Sequence, residues 1–181
     1  SELGVPADAP VLAYVGSGFA RKGVAVALKA IVDHPTVWLL VAGRDKHARR
    51  FEALAHKLGV AARVKFLGPI ADIKTVYGSA DALILPTLYD PFPNVCVEAL
   101  ACGLPLLTSH GCGAAEWVQE GENGWVRDAL DAPGYSEAIG QWLTGRAAGK
   151  DYISAARRTA EPWTLERMAQ ELNALYRELL A

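Results

Sequence analysis

Short apolar runs that end at glycine or proline alternate with segments of helical period along most of this chain. Six runs read as strands, the last of them short: residues 11–15, 37–42, 64–67, 82–85, 105–108 and 125–126. Nearly every position in them is apolar, as in strands that a parallel sheet covers on both faces. The segments between them with helical period are residues 23–32, 46–58, 73–79, 94–102 and 114–119. This order predicts an α/β fold with a Rossmann-like, doubly wound parallel sheet of about six strands.

The last third of the chain is helical throughout. Residues 135–143, 151–160 and 165–180 have helical period, with Gly145, Gly149 and Pro162 as the breaks. We expect a helical C-terminal tail that either packs on the sheet or reaches toward another domain. The length of 181 residues suits one domain with a full core better than two. Because residues 1–6 read as a helix end and a turn, we expect residues 1–181 to be a fragment of a longer protein.

Composition and charge exclude several classes of protein. The net charge of −2 gives no general attraction for nucleic acid or anionic lipid. No apolar run approaches the roughly 20 residues of a membrane-spanning helix, and the first residues do not read as the basic-then-apolar pattern of a signal peptide. Cys96, Cys102 and Cys112 are odd in number and share no CxxC spacing, which favours buried thiols in a reducing cytoplasm. No clustering of His and Asp has metal-ligand spacing, so no metal cofactor is expected.

A glycine-rich loop with two cations follows the first strand. Residues 16–23 read GSGFARKG. Its glycines let backbone N–H groups approach a ligand, the helix start at Gly23 adds a positive dipole end, and Arg21 and Lys22 add full charges. This combination suits a phosphate, although the spacing matches neither a P-loop nor a dinucleotide fingerprint. A tight turn with two solvated cations is the alternative that the sequence leaves open.

A second loop, residues 90–98, reads DPFPNVCVE and follows the fourth strand. Its two prolines delay the helix until Asn94, which is the predicted N-cap. The first N–H groups of that helix would face the same crevice as the glycine-rich loop. Glu98 lies one turn inside the helix among apolar neighbours, so it either pairs with a buried basic group or accepts hydrogen bonds from ligand hydroxyls. A third glycine-rich turn, residues 110–116, either approaches a ligand or simply begins another helix.

Taken in order, the motifs of this chain resemble one family. They are residues 16–23, VAG at 41–43, VKFLG at 64–68, AD at 80–81, LP at 85–86, EALACGLP at 98–105 and GENG at 121–124. Together they resemble the C-terminal, donor-binding domain of retaining GT-B glycosyltransferases of the family-four, glycogen-synthase-like group. Residues 15–23 and 46–59 most resemble the lipopolysaccharide core glucosyltransferases within that group.

The resemblance implies roles for individual residues. Arg21 and Lys22 would neutralise the donor diphosphate, Asp90 would contact the donor sugar, and Glu98 would hold the ribose hydroxyls. Asp90 departs from the family pattern, which usually has Glu, and its side chain is one methylene shorter. The other positions implied to contact the donor are Gly16, Ser17, Arg44, Phe66, Leu67, Phe92, Asn94 and Val95. Among these, Gly16 and the backbone at 94–95 would cradle the phosphates, and Arg44, Phe66 and Leu67 would pack on uracil.

The same resemblance implies the reaction and its partners. The donor would be a UDP-sugar acting as co-substrate, with UDP-glucose expected, and transfer to a lipopolysaccharide core or other glycan would retain the anomeric configuration. A glycan or lipid-linked acceptor would bind through an N-terminal lobe. No nucleic-acid partner is expected. The expected location is the cytoplasm, with peripheral contact of the whole protein to the inner membrane as an option. A GT-B-related UDP-N-acetylglucosamine 2-epimerase and a non-catalytic nucleotide-binding module are the alternatives; the spacing of Asp90 and Glu98 argues against the epimerase.

Overall fold

A computed structural model describes residues 4–180 and confirms the predicted fold class. The strands in this range are β1 (Val11–Val15), β2 (Trp38–Ala42), β3 (Val64–Gly68), β4 (Ala82–Leu85), β5 (Leu106–Ser109) and β6 (Gly124–Arg127). They form one sheet in the order β3-β2-β1-β4-β5-β6, and all neighbouring strands are parallel. All residues of β1, β4 and β5 are buried, as their continuous apolar runs predicted.

Helices connect and cover these strands. They are α1 (Val24–Ala30), α2 (Ala48–Lys57), α3 (Lys74–Tyr77), α4 (Asn94–Ala101), α5 (Ala132–Ala147), α6 (Tyr152–Ala160) and α7 (Leu165–Leu179). Two 3-10 turns, Ala61–Arg63 and Gly113–Trp117, lie between elements. Helix α1 packs against α5, and α4 packs against α6.

The strand order reverses between β1 and β4, and this reversal positions the candidate site. The chain runs outward from β1 to β2 and β3, then returns to the other side of β1 as β4. The chain therefore continues in opposite directions along the sheet from β1 and from β4, and open α/β sheets bind ligands in the crevice at such a reversal. Residues 16–23 follow β1 and residues 86–93 follow β4. Both of the loops singled out in the sequence lie at this crevice.

Three local predictions were wrong. Pro93 is the N-cap of α4, with an extended backbone (φ −74°, ψ 123°), and Asn94 is the first helical residue. Gly145 does not break α5 but lies inside it, where its missing Cβ leaves room for the hydroxyl of Tyr152. The segment predicted as a helix at 114–119 is the 3-10 turn Gly113–Trp117.

Helix α7 differs from the rest of the chain because all of its residues are exposed. Its apolar side chains recur every three or four residues and form one stripe: Leu165, Met168, Leu172, Leu175 and Leu179. Of the predicted helical tail, α5 packs on β5 and β6 and α6 packs on α4, as expected, whereas α7 does not pack on the sheet. A reach of α7 toward another domain stays a prediction. Across residues 4–180, no helix has both the length and the apolar character needed to cross a bilayer.

Candidate functional site

A cavity of about 280 Å³ opens at the carboxyl ends of β1, β2 and β3, beside α4. The strand ends contribute Val15, Gly16, Ser17, Ala42, Gly43 and Arg44, the segment after β3 contributes Pro69, Ile70 and Ile73, and α4 contributes Val95 and Glu98. Five of the predicted site residues therefore line one cavity: Gly16, Ser17, Arg44, Val95 and Glu98. The wall made by Pro69, Ile70 and Ile73 was missed, although a loop that follows a strand at this sheet edge was the available signal.

Lys22, Asp90 and Arg21 form an ion-pair cluster beside this cavity. Lys22 lies over Gly16, where an added Cβ would be only 3.3 Å from the lysine Nζ. Oδ2 of Asp90 is 3.1 Å from Nζ of Lys22 and 3.8 Å from Nη1 of Arg21. The Lys22 and Asp90 side chains each keep only 13% exposure, against 50% for Arg21. Solvent therefore screens the Lys22–Asp90 attraction less than it would on an open surface.

The loops after β1 and β4 touch each other through their backbones. The Leu88 N–H donates to the carbonyl of Arg21 over 2.8 Å. Gly23 has a positive φ of 82°, and a Cβ there would collide with the carbonyl oxygen of Pro86. Only glycine combines that backbone conformation with such a close approach. The glycine that ends the first motif is thus needed to bring the two loops together.

Asp45 fastens the loop after β2 to the loop after β1. Its Oδ1 accepts from the His47 N–H over 2.7 Å, and its Oδ2 accepts from the Phe19 N–H over 2.6 Å. The hydrogen bond from the His47 amide is the largest cause and lowers the pKa of Asp45; desolvation opposes it, and the bond from the Phe19 amide lowers the pKa further. In addition, the Arg44 N–H donates to Oγ of Ser17 over 3.1 Å. Sequence analysis missed Asp45, because its acceptor role depends on a loop 26 residues away.

Helix α4 points two unpaired amides toward the crevice. The N–H groups of Asn94 and Val95 have no hydrogen-bond acceptor within residues 4–180. Both belong to the first turn of a helix, where the dipole favours a negative ligand. Val95 lines the cavity, whereas the exposed side chain of Asn94 does not. The backbone at 94–95 is therefore the part of this helix end that offers free donors to an anion.

Glu98 has a tyrosine as its partner rather than a buried basic group. The hydroxyl of Tyr77 donates to Oε2 of Glu98 over 2.7 Å. Glu98 itself is exposed and lines the cavity. Burial, and then the hydrogen bond to Glu98, raise the pKa of Tyr77, so the phenol keeps its proton at physiological pH. Tyr77 is a site residue that sequence analysis missed.

Besides Arg21, Lys22, Asp90 and Asn94, three predicted positions lie away from the cavity lining. Phe66 packs in a cluster with Phe19, at a ring-centroid distance of 6.4 Å, and Leu67 is half-buried beside it in β3. Phe92 is exposed and contacts Trp117 edge-on, with centroids 4.6 Å apart. The third glycine-rich turn pairs with the backbone of Asp90, whose N–H donates to Gly111 and whose carbonyl accepts from Gly113, both over 3.0 Å.

No group of three or more His, Cys, Asp or Glu side chains in the described residues is placed to hold a metal ion. The free cysteines in this range are Cys96 and Cys112, which are buried, and Cys102, which is exposed. The expectation of burial was therefore wrong for Cys102, which follows the last turn of α4.

Comparison with known proteins identifies the family. The family model described as glycosyl transferases group 1 matches residues 1–159. The lipopolysaccharide glucosyltransferase WaaG of Escherichia coli (strain K12) is 37% identical over 174 residues, which are 93% of this chain and 46% of that protein. The chain therefore belongs to the group 1 glycosyl transferases, as its motifs predicted.

Solved structures agree on the fold. Sucrose-phosphate synthase from Thermosynechococcus elongatus aligns with a TM-score of 0.89 and 30% identity, over 99% of this chain and 47% of that one. Anabaena Alr3699/HepE in complex with UDP-glucose aligns with a TM-score of 0.84 and 24% identity, over 96% of this chain and 50% of that one. The chain thus spans about half the length of the proteins it matches.

Proposed function

We propose that residues 1–181 form the donor-binding lobe of a retaining glycosyltransferase that uses a UDP-sugar, with UDP-glucose as the donor. The proposed acceptor is a lipopolysaccharide core or another glycan. Family membership supports transfer over the 2-epimerase alternative. The name of WaaG supports glucose and lipopolysaccharide, and the HepE complex supports UDP-glucose on this fold. One observation carries the proposal: a single crevice joins the unpaired α4 amides, Lys22 and Glu98.

The donor would cross the crevice from β3 toward α4. Uracil would lie between Arg44 and the apolar wall of Pro69 and Ile70. The ribose hydroxyls would donate to Glu98, as the family resemblance implies. The diphosphate would then lie over the amides of Asn94 and Val95, with Lys22 beside it. This assignment gives the nucleobase to Pro69 and Ile70 rather than to Phe66 and Leu67.

Charge stabilisation is the chemistry that these residues can supply. As the glycosidic bond breaks, the departing UDP gains negative charge. Lys22, Arg21 and the first turn of α4 would supply cations and N–H donors to that charge, and such groups lower the barrier. Before the donor binds, Asp90 pairs with Lys22. The diphosphate replaces Asp90 as the partner of Lys22, which frees the carboxylate of Asp90 to contact the sugar.

A second lobe would complete the site and bind the acceptor. The cavity volume of about 280 Å³ is at the lower end for ligand pockets, which typically enclose ~300–1,000 Å³. The half-length match to relatives and the exposed apolar stripe of α7 support this division. We therefore expect residues 1–181 to bind donor without transferring sugar. Glucosyl transfer by this chain alone, followed with radiolabelled UDP-glucose and acceptor, would contradict the two-lobe proposal.

Calorimetric titration with UDP, GDP and ADP tests the donor assignment. UDP should bind most tightly, and Lys22→Ala should weaken UDP binding on the order of tenfold to a hundredfold, because a hydrogen bond to a charged group is lost. Arg49→Ala is the matched control, since Arg49 is exposed on α2 and does not line the cavity. Equal losses in both variants, or no preference for UDP, would overturn the assignment. A regulatory module would bind UDP normally but leave the full-length protein without transferase activity.

A further inference from the structure

Tyr77 and Glu98 form a pair in which only one member faces the cavity. Tyr77 is the last residue of α3 and is 2% exposed. Its hydroxyl is 2.7 Å from Oε2 of Glu98, which extends from the second turn of α4. Within residues 4–180, Oε1 of Glu98 has no hydrogen-bond donor and the carboxylate has no cation within 4.0 Å. One carboxylate oxygen is therefore held by the protein and the other is unused.

This arrangement lowers the entropic cost of using an exposed glutamate in a binding site. A free Glu side chain samples many rotamers, and ligand binding must restrict it to one of them, which costs conformational entropy. The buried ring of Tyr77 cannot move readily, and its hydroxyl fixes the carboxylate before any ligand arrives. Preorganisation of this kind increases affinity without adding a contact to the ligand.

We propose that Tyr77 is a positioning residue that aims Oε1 of Glu98 at the ribose hydroxyls and thereby makes the site selective for ribonucleotides. The inference rests on the proposed donor function. It adds that nucleotide selectivity depends on a side chain outside the cavity lining, on a different helix from the acid it orients.

The test compares UDP with 2′,3′-dideoxy-UDP, which lacks both hydroxyls, on the chain and on Tyr77→Phe. Tyr77→Phe keeps the buried ring and removes only the hydroxyl. We expect this variant to bind UDP about tenfold more weakly (~1.4 kcal/mol) while its affinity for 2′,3′-dideoxy-UDP stays unchanged. In a Glu98→Ala background, the same substitution should have no further effect, since coupled residues are not additive.

Tyr152→Phe is the matched control, because Tyr152 is also largely buried but its hydroxyl lies against Gly145 on α5. It should leave both affinities unchanged. If Tyr77→Phe weakened the binding of both ligands equally, the role of Tyr77 would be purely structural. If UDP binding were unchanged, Tyr77 would have no role in binding. If the unmodified chain prefers UDP over 2′,3′-dideoxy-UDP and Tyr77→Phe keeps the same preference, only this inference fails. If the unmodified chain does not bind UDP, the proposed function fails with it.

Discussion

The two sides of the crevice hold charge in different ways. The cationic loop (residues 16–23) uses the side chains of Arg21 and Lys22, which share the single carboxylate of Asp90 as their ion-pair partner. The helix start (residues 91–98) uses backbone amides that have no acceptor among residues 4–180, and a carboxylate that already accepts a hydrogen bond from a buried tyrosine. The first side must therefore exchange partners when an anion binds, whereas the second is ready beforehand. This difference predicts which substitutions change affinity, and in which direction.

The largest expected effect comes from separating the two sides. Gly23→Ala should lower the free energy of unfolding by about 3 kcal/mol, because the new Cβ meets the Pro86 carbonyl in a left-handed backbone conformation. Urea denaturation followed by circular dichroism measures the loss. Gly149→Ala is the control, since Gly149 has a similar φ of 77° with open space around it. It should cost about 1 kcal/mol. Equal losses would show that the contact with Pro86 is unimportant.

A smaller effect, which differs in size between two ligands, is expected at Asp90. Asp90→Asn removes the charge that competes for Lys22, so UDP should bind about three- to tenfold more tightly. If Asp90 contacts the sugar, UDP-glucose should gain less than UDP from the same change. Calorimetry with both ligands measures the difference. Glu120→Gln, which breaks the Glu120–Arg127 pair outside the cavity, should change neither affinity. Weaker UDP binding by Asp90→Asn would contradict the partner exchange.

The smallest effect is a pH dependence of the cationic loop. The folded-state pKa of Asp45 is lowered, so its hydrogen bonds stabilise the fold above its unfolded pKa, ~3.9, and are lost as the pH falls through the folded value. Thermal unfolding between pH 6 and pH 2, roughly the window of acid titration, should show a steeper loss of stability for the chain than for Asp45→Asn. Parallel curves for the two proteins would show that Asp45 does not fasten the loop.

The sequence by itself determined the α/β alternation, the strands, and the two loops at their carboxyl ends. Those features depend on local periodicity and on residues such as Gly23, Pro91 and Pro93, whose backbone preferences act wherever they occur. The order of motifs was also sufficient to predict the family. Glu98 could be singled out because an acid among apolar helix residues is unusual. Lys22 could be singled out because it and Arg21 follow a glycine-rich strand end, although a turn with solvated cations fitted that pattern as well.

Tertiary structure decided which side chains share a cavity. Tyr77 meets Glu98 across 21 residues and Lys22 meets Asp90 across 68, separations at which no local pattern carries information. The register of β3 sends Pro69 and Ile70, rather than Phe66 and Leu67, to the cavity wall. Periodicity says that a strand exists, but the position where it ends relative to its neighbours depends on how the whole sheet pairs. For that reason the binding residues could be proposed from the sequence, while their partners could be found only in the folded chain.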